Sequence, residues 1–192
     1  MGNNKSTVSG PYFFLVGAAS FLLAVFFFWL SQFLADQLKN LLLSFLFLVI
    51  IILSGIVADI LGTAVAAATE APFHARAAKR VTGAQQGVFL IRNADRVANI
   101  CNDVIGDIAG TVSGALGIAL VAQILIHRQG IHQSLLNMFM TALIAAVTVI
   151  GKAAGKRLAL TRADEVIFLT GRIMAGWEKL TGISLLRRTR RP

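Results

Sequence analysis

Apolar residues run along this chain in long blocks, set off by short polar stretches. The blocks cover about 12–34, 41–69, 104–126 and 135–152. Each is long enough for a membrane-spanning helix, which needs about 17–25 mainly apolar residues. The second block, about 29 residues, would be roughly 43 Å long as a helix. A hydrocarbon core is about 30 Å thick, so this helix is expected to tilt, break or project beyond it. Residues 73–98 form the one long polar stretch between blocks. Apolar positions recur there at helical spacing, which predicts short amphipathic helices at the membrane surface, with breaks at Gly83 and Gly87. Pro72 is expected to end or kink the helix before it. The tail, 161–192, reads as an amphipathic helix followed by the basic cluster LLRRTRRP. Thr161 is the expected N-cap, with Asp164 and Glu165 in the favourable first turn and Val166, Ile173, Trp177 and Leu180 on the apolar side.

The fold class that follows is all-α: an integral membrane domain, residues 12–160, of four transmembrane helices with juxtamembrane amphipathic helices. Residues 1–11 are expected to be a flexible N-terminus. They match the short myristoylation pattern at Gly2 and Ser6, which arises readily by chance. The Phe-rich first block reads as an anchor, because it is too long for a cleaved signal and no convincing small-residue site follows.

Composition supports the membrane class: 56% of residues are hydrophobic and the mean hydropathy is +0.74. The net charge of +9 comes from 18 basic against 9 acidic residues, which in a soluble chain would raise nucleic acid as a partner. Here the basic residues flank apolar blocks, so they are read as orientation charge and as contacts to anionic headgroups, above all at the C-terminus. Their concentration in 70–98 and in the tail puts both on the cytoplasmic side. Four spans then place the N-terminus there too, with the turns near 35–40 and 127–133 outside. Trp29 and Trp177 read as interface anchors. A single cysteine, Cys101, excludes an internal disulfide. With no phosphate loop, nucleophile elbow or zinc-protease pattern, the expectation is a membrane protein that is not an enzyme.

Polar residues inside the blocks carry the remaining chemistry. At 100° per residue, Asn99, Asp103, Gly106, Asp107, Gly110, Ser113, Gly114 and Gly117 fall within an arc of roughly 120°. Gly55, Asp59, Gly62, Ala66, Thr69 and Glu70 form a similar stripe in the second block. In the fourth, Asn137, Thr141, Thr148, Lys152 and Gly155 share a face. Glycines at such spacing let another helix approach closely. A carboxylate in a membrane costs about 2.5–3.5 kcal/mol on insertion scales, so each needs a partner or a task.

Several short elements, in order, resemble the transmembrane domain of the CorC/cyclin-M (CNNM) family of magnesium transport proteins. The family's first span closes on Ser-Glu-x-Ala, where this chain has Thr69-Glu70-Ala71-Pro72. Its Asn-Pro-Asp-Arg element corresponds to Asn93-Ala94-Asp95-Arg96. Its Ile-Gly-Asn element matches either Ile100-Cys101-Asn102 or Ile105-Gly106-Asp107. Its closing Gly-Glu-x-x-Pro-Lys corresponds to Gly151-Lys152-Ala153-Ala154-Gly155-Lys156, with a lysine in place of the acid. The resemblance covers roughly 41–186, leaves the first span as an addition, and finds none of the family's soluble cystathionine-synthase-type domains. It implies a homodimer in a plasma membrane, of prokaryotic type, with Thr69, Glu70, Asn102 and Asp107 near a cation site.

Two readings of the acids stay open. In one, Asp59, Thr69, Glu70, Asn102, Asp103 and Asp107 supply oxygen ligands to a hard cation, Mg²⁺ first, which takes about six oxygens, some from water. In the other, Asp103 or Asp107 pairs with Lys152 and holds the helices in register. The second suits a non-transporting scaffold, a regulator, or an accessory subunit with a protein partner.

Overall fold

The computed structural model describes residues 10–37, 40–127 and 132–182. The expectations for the flexible N-terminus before Gly10, for the turn residues 38–39 and 128–131 and for the basic cluster LLRRTRRP lie outside those residues. Among the described residues the chain is all-helical, without a strand. The elements are α1 (Gly10–Gln37), α2 (Leu41–Ala67), α3 (Ala71–Ala78), α4 (Ala84–Arg92), α5 (Ala94–Asn99), a π-helical segment (Ile100–Ile105), α6 (Gly106–His127), α7 (Gln133–Thr161) and α8 (Ala163–Thr181). Three stretches are long and apolar enough to cross a membrane: Leu41–Ala67, Ala94–Ile126 and Gln133–Thr161. The apolar stretch described in α1, Phe14–Trp29, is shorter. The third long stretch starts ten residues before the expected 104, because α5, the π-helical segment and α6 follow one another without a break.

The starts and stops have local causes. Asn40 caps α2: its Oδ1 accepts from the Leu42 amide at 3.0 Å, satisfying one of the orphan donors of the first turn. Helix α2 ends at Ala67, and Pro72 stands in the first turn of α3, where its missing N–H costs nothing. Helix α3 ends in a Schellman arrangement, with the Val81 amide donating to the Arg76 carbonyl at 3.0 Å and the Arg80 amide to Ala77 at 2.9 Å. Arg80 takes the left-handed position, φ 54°, where glycine is usual; the conformation costs an L-residue about 1–2 kcal/mol. Gly83, φ 90°, precedes α4 as expected.

Gly87 departs from its expected role as a break. It lies inside α4, and a Cβ there would collide with the Phe73 ring. Thr161 is the last residue of α7 and its hydroxyl donates to the Arg157 carbonyl, so it caps nothing; Arg162 holds the N-cap position of α8. The inward side of α8 is Ala163, Ile167, Gly171 and Ala175, while Ile173, Trp177 and Leu180 of the expected apolar side are exposed.

The chain divides into two compact units, Met1–Ile52 with Ile108–Ala145, and Leu53–Asp107 with Ala146–Pro192. In the second, Ala64, Val65, Phe73, Leu90, Ala159 and Ile167 form a buried core drawn from α2, α3, α4, α7 and α8. Small residues permit this packing. Gly155 and Gly151 of α7 leave room for Ile60 and Ile56 of α2. Gly171 of α8 leaves room for the Gly83 carbonyl and the Gly87 amide at the start of α4. In the first unit Leu48, Val112, Leu116, Leu120 and Val121 are buried, and Ser44 donates to Gln123 Oε1 at 3.3 Å.

Candidate functional site

The π-helical segment, ICNDVI, contains Asn102 and Asp103 and ends at Gly106, whose amide donates to the Cys101 carbonyl five residues back. One wide turn of this kind rotates everything before it relative to everything after it, and such turns occur often at functional sites. The stripe drawn from Asn99 to Gly117 at a constant 100° is therefore divided. Along α6 the buried positions are Gly106, Ala109, Val112, Ser113, Leu116, Gly117, Leu120 and Val121, while Asp107 and Gly110 are exposed. Among the described residues nothing beyond the helix's own backbone lies within 4 Å of a Cβ at Gly110 or Gly114.

Asn102 approaches α2 one turn after Asp59. A Cβ on Gly62 would collide with the Asn102 amide group, so this glycine is the opening through which Asn102 reaches α2. Asp59 lies one turn before Gly62 and is 4% exposed. Among the described residues neither Asp59 Oδ2 nor Asn102 Oδ1 has a hydrogen-bond partner, and both atoms are buried. Asn99 Oδ1 is a third such atom; the same side chain donates through Nδ2 to Asp103 Oδ2 at 2.7 Å. Buried polar atoms are rarely left this way, and each needs an explanation such as a water or an ion.

Two lysines of α7 stand nearby. Lys156 Nζ is 3.9 Å from Asp59 Oδ2, with 54% of the lysine side chain exposed. Lys152 is half-buried, and its Nζ is 3.5 Å from where a Cβ on Gly106 would stand, between Asp103 and Asp107 in the sequence. At 3.9 Å a charge pair gains about 1 kcal/mol in water and about 4 at an effective dielectric of 20. The exposure of Lys156 pulls its contribution toward the lower figure.

The other expected ligands are engaged elsewhere. The Thr69 amide donates to Asp164 Oδ1 at 3.0 Å and its hydroxyl reaches Asp164 Oδ2 at 3.3 Å, which ties the end of α2 to the first turn of α8. Glu70 Oε1 accepts from Arg92 Nε of α4 and lies 3.2 Å from His74 Nε2. The Arg92 hydrogen bond holds the Glu70 carboxyl below its ordinary value, against a smaller opposing effect of burial, and His74 adds to the lowering. Asp103 and Asp107 are exposed. Among the described residues no three His, Cys, Asp or Glu side chains gather in a way that could hold a metal ion. An oxygen site here would have to draw on Asp59 together with carboxamides, backbone carbonyls and water.

Sequence reasoning missed Lys156, Arg92 and Asp164 as partners of Asp59, Glu70 and Thr69. The signal for Lys156 was present: Asp59 is a single acid deep in an apolar block, and Lys156 stands one turn beyond Lys152 on the next basic helix. Arg92 and Asp164 lie 22 and 95 residues from their partners, beyond the reach of local periodicity.

Among the described residues these features define an all-helical protein with three helices long and apolar enough to cross a membrane, and with buried oxygens that accept no hydrogen bond on α2 and the π-helical segment. No family model matches the sequence, and no curated protein or solved structure matches it.

Proposed function

We propose that this chain is a four-span membrane protein that binds a divalent cation, Mg²⁺ first, and moves it or responds to it. The observation that carries the reading is two buried oxygens that accept no hydrogen bond, Asp59 Oδ2 on α2 and Asn102 Oδ1, which approaches α2 at Gly62 one turn further on. Carboxylate and carboxamide oxygens are the ligands a hard cation takes. The resemblance to the CorC/CNNM transmembrane domain points the same way, though the ligands favoured here are Asp59 and Asn102 rather than Thr69 and Glu70. In this reading α1 is the first span, both termini are cytoplasmic in a prokaryotic-type plasma membrane, and the exposed apolar side of α8 rests on the membrane surface. A second copy of the chain covers the open face around Gly110 and Gly114.

A second reading is favoured by Lys156 and Lys152. If their ammonium groups neutralise Asp59 and the acids beside Gly106 permanently, the protein is a non-transporting scaffold or an accessory subunit. Crystals soaked in Mn²⁺ separate the two. An anomalous peak within coordination distance of Asp59 or Asn102 is expected; a fully occupied Lys156–Asp59 contact with no peak contradicts the cation reading. Orientation is checked by cysteine labelling from outside intact cells. A cysteine placed at 76–92 should be shielded and one at 129–133 should react.

A further inference from the structure

A cleft of about 330 Å³ lies in the second unit, between the α3–α4 turn and the C-terminal half of α8. Its wall carries Arg80 and Thr82 from the turn, Gln86 from α4, and Glu178 and Lys179 from α8. The two elements are clamped together by the close approach of Gly83 and Gly171, so the cations they carry are held on a common frame. The single acid of the wall is already engaged, with Glu178 Oε2 accepting from Gln86 Nε2 at 2.7 Å.

Arg80 is the informative residue. It occupies the left-handed position of the Schellman turn, φ 54°, which glycine would fill with less strain. Folding alone gives no reason for a long charged side chain there. Left-handed backbone at a non-glycine residue tends to mark functional sites, and the Arg80 side chain lines the cleft. We propose that this cleft binds a phosphate group, with Arg80 and Lys179 as its cationic donors and the Thr82 hydroxyl as a neutral one. Arginine matches phosphate oxygens with a planar fork of donors, and lysine adds a compact point charge. The volume is at the low end for ligand pockets, about 300–1,000 Å³, which suits a headgroup or a small phosphate ester rather than a dinucleotide. Helix α3 follows the end of α2 and α8 follows the end of α7, so both walls continue from helices long enough to cross a membrane. A phospholipid headgroup and a soluble phosphate ester share the required chemistry. The proposal does not depend on the cation reading.

The test is thermal melting of the full chain in detergent. The additions are dioleoylphosphatidylglycerol, a galactolipid without phosphate, or glycerol 3-phosphate. Phosphatidylglycerol should raise the melting temperature and the galactolipid should not. Arg80→Gly should itself melt no lower than the native chain, because it relieves the left-handed strain, yet should weaken the phosphate response about tenfold or more, as expected for one charge-assisted hydrogen bond. Lys179→Gln, on the other wall, should weaken it as well. If glycerol 3-phosphate reproduces the shift, and Arg80→Gly abolishes that too, the site stands with a soluble ligand. If only the lipid acts, the ligand is a headgroup. An undiminished response in both variants would assign the effect to other basic residues and overturn the proposal, as would the absence of any shift in the native chain.

Discussion

The two compact units use the same residue types to different ends. Leu53–Asp107 with Ala146–Pro192 holds eight of the nine acids, and there glycine is a contact residue: Gly62 admits Asn102, Gly87 admits Phe73, and Gly171 admits the backbone of α4. Met1–Ile52 with Ile108–Ala145 holds a single acid, and there Gly117 admits Ile144, while among the described residues nothing beyond their own helix backbone lies within 4 Å of a Cβ at Gly110 or Gly114. A glycine stripe is thus no guide by itself to what a helix packs against. In one unit most of these glycines admit a side chain or backbone of a neighbouring element; in the other Gly117 does so, while Gly110 and Gly114 leave a surface open.

The sharpest way to break this contrast is at Phe73, which is fully buried in the core of the second unit. Phe73→Ala should cost about 3–5 kcal/mol, read as a fall in melting temperature in detergent. A neutral result would mean that the core does not hold that unit together. Next is a pair of glycines. Gly171→Leu drives a side chain into the Gly83 carbonyl and should cost about 1–3 kcal/mol or more, because the obstacle is backbone. Gly110→Leu should leave the melting of the single chain unchanged and act, if anywhere, on oligomeric state seen by light scattering. Equal losses at both would erase the distinction between the units.

Smaller effects sharpen the electrostatic side. Breaking a fully buried ion pair costs about 3–5 kcal/mol, but Lys156 is 54% exposed, so Lys156→Met should cost only about 1–2 kcal/mol in the absence of added metal. The smallest effect concerns Glu70. Its carboxyl is held below the ordinary 4.5, so the Arg92 contact stabilises the fold above that pH and the benefit is lost as pH falls through the lowered value. Glu70→Gln should lower stability slightly at neutral pH, where the native carboxylate is charged, and match the native chain once pH falls below the lowered value, which flattens the acid limb of the profile. An unchanged acid limb would remove the contact from the account.

Much of this architecture was legible in the order of residues. The long apolar helices, the break at Gly83 and the acids in the first turn of α8 follow from block length, glycine and the helix dipole. The stripe on α6 is split between buried and exposed positions for two physical reasons. Periodicity assigns residues to a common face without saying which face turns inward, so Val112, outside the stripe, is buried while Gly110, within it, is exposed. The π-helical segment then offsets the phase by its wide turn, and no composition signal in ICNDVI announces it. The same limit applies to the site. Asp59 stood out as an acid that needed a partner, whereas the link from Thr69 to Asp164 depends on how the chain folds back after 95 residues.

The most direct test of the central claim, that Asp59 serves a metal cation and Lys156 only stands in for one, is a Mg²⁺ titration of thermal stability. It compares the native chain, Lys156→Met, and Lys156→Met combined with Asp59→Asn. Binding to the folded state alone stabilises by mass action, about 2.7 kcal/mol at a hundredfold excess over Kd. The account predicts a rise with Mg²⁺ in the native chain, a larger rise at lower concentration in Lys156→Met, where the competing ammonium is gone, and none in the double variant. No Mg²⁺ response in either the native chain or Lys156→Met would contradict it, and would leave the lysine as the permanent partner of that buried carboxylate.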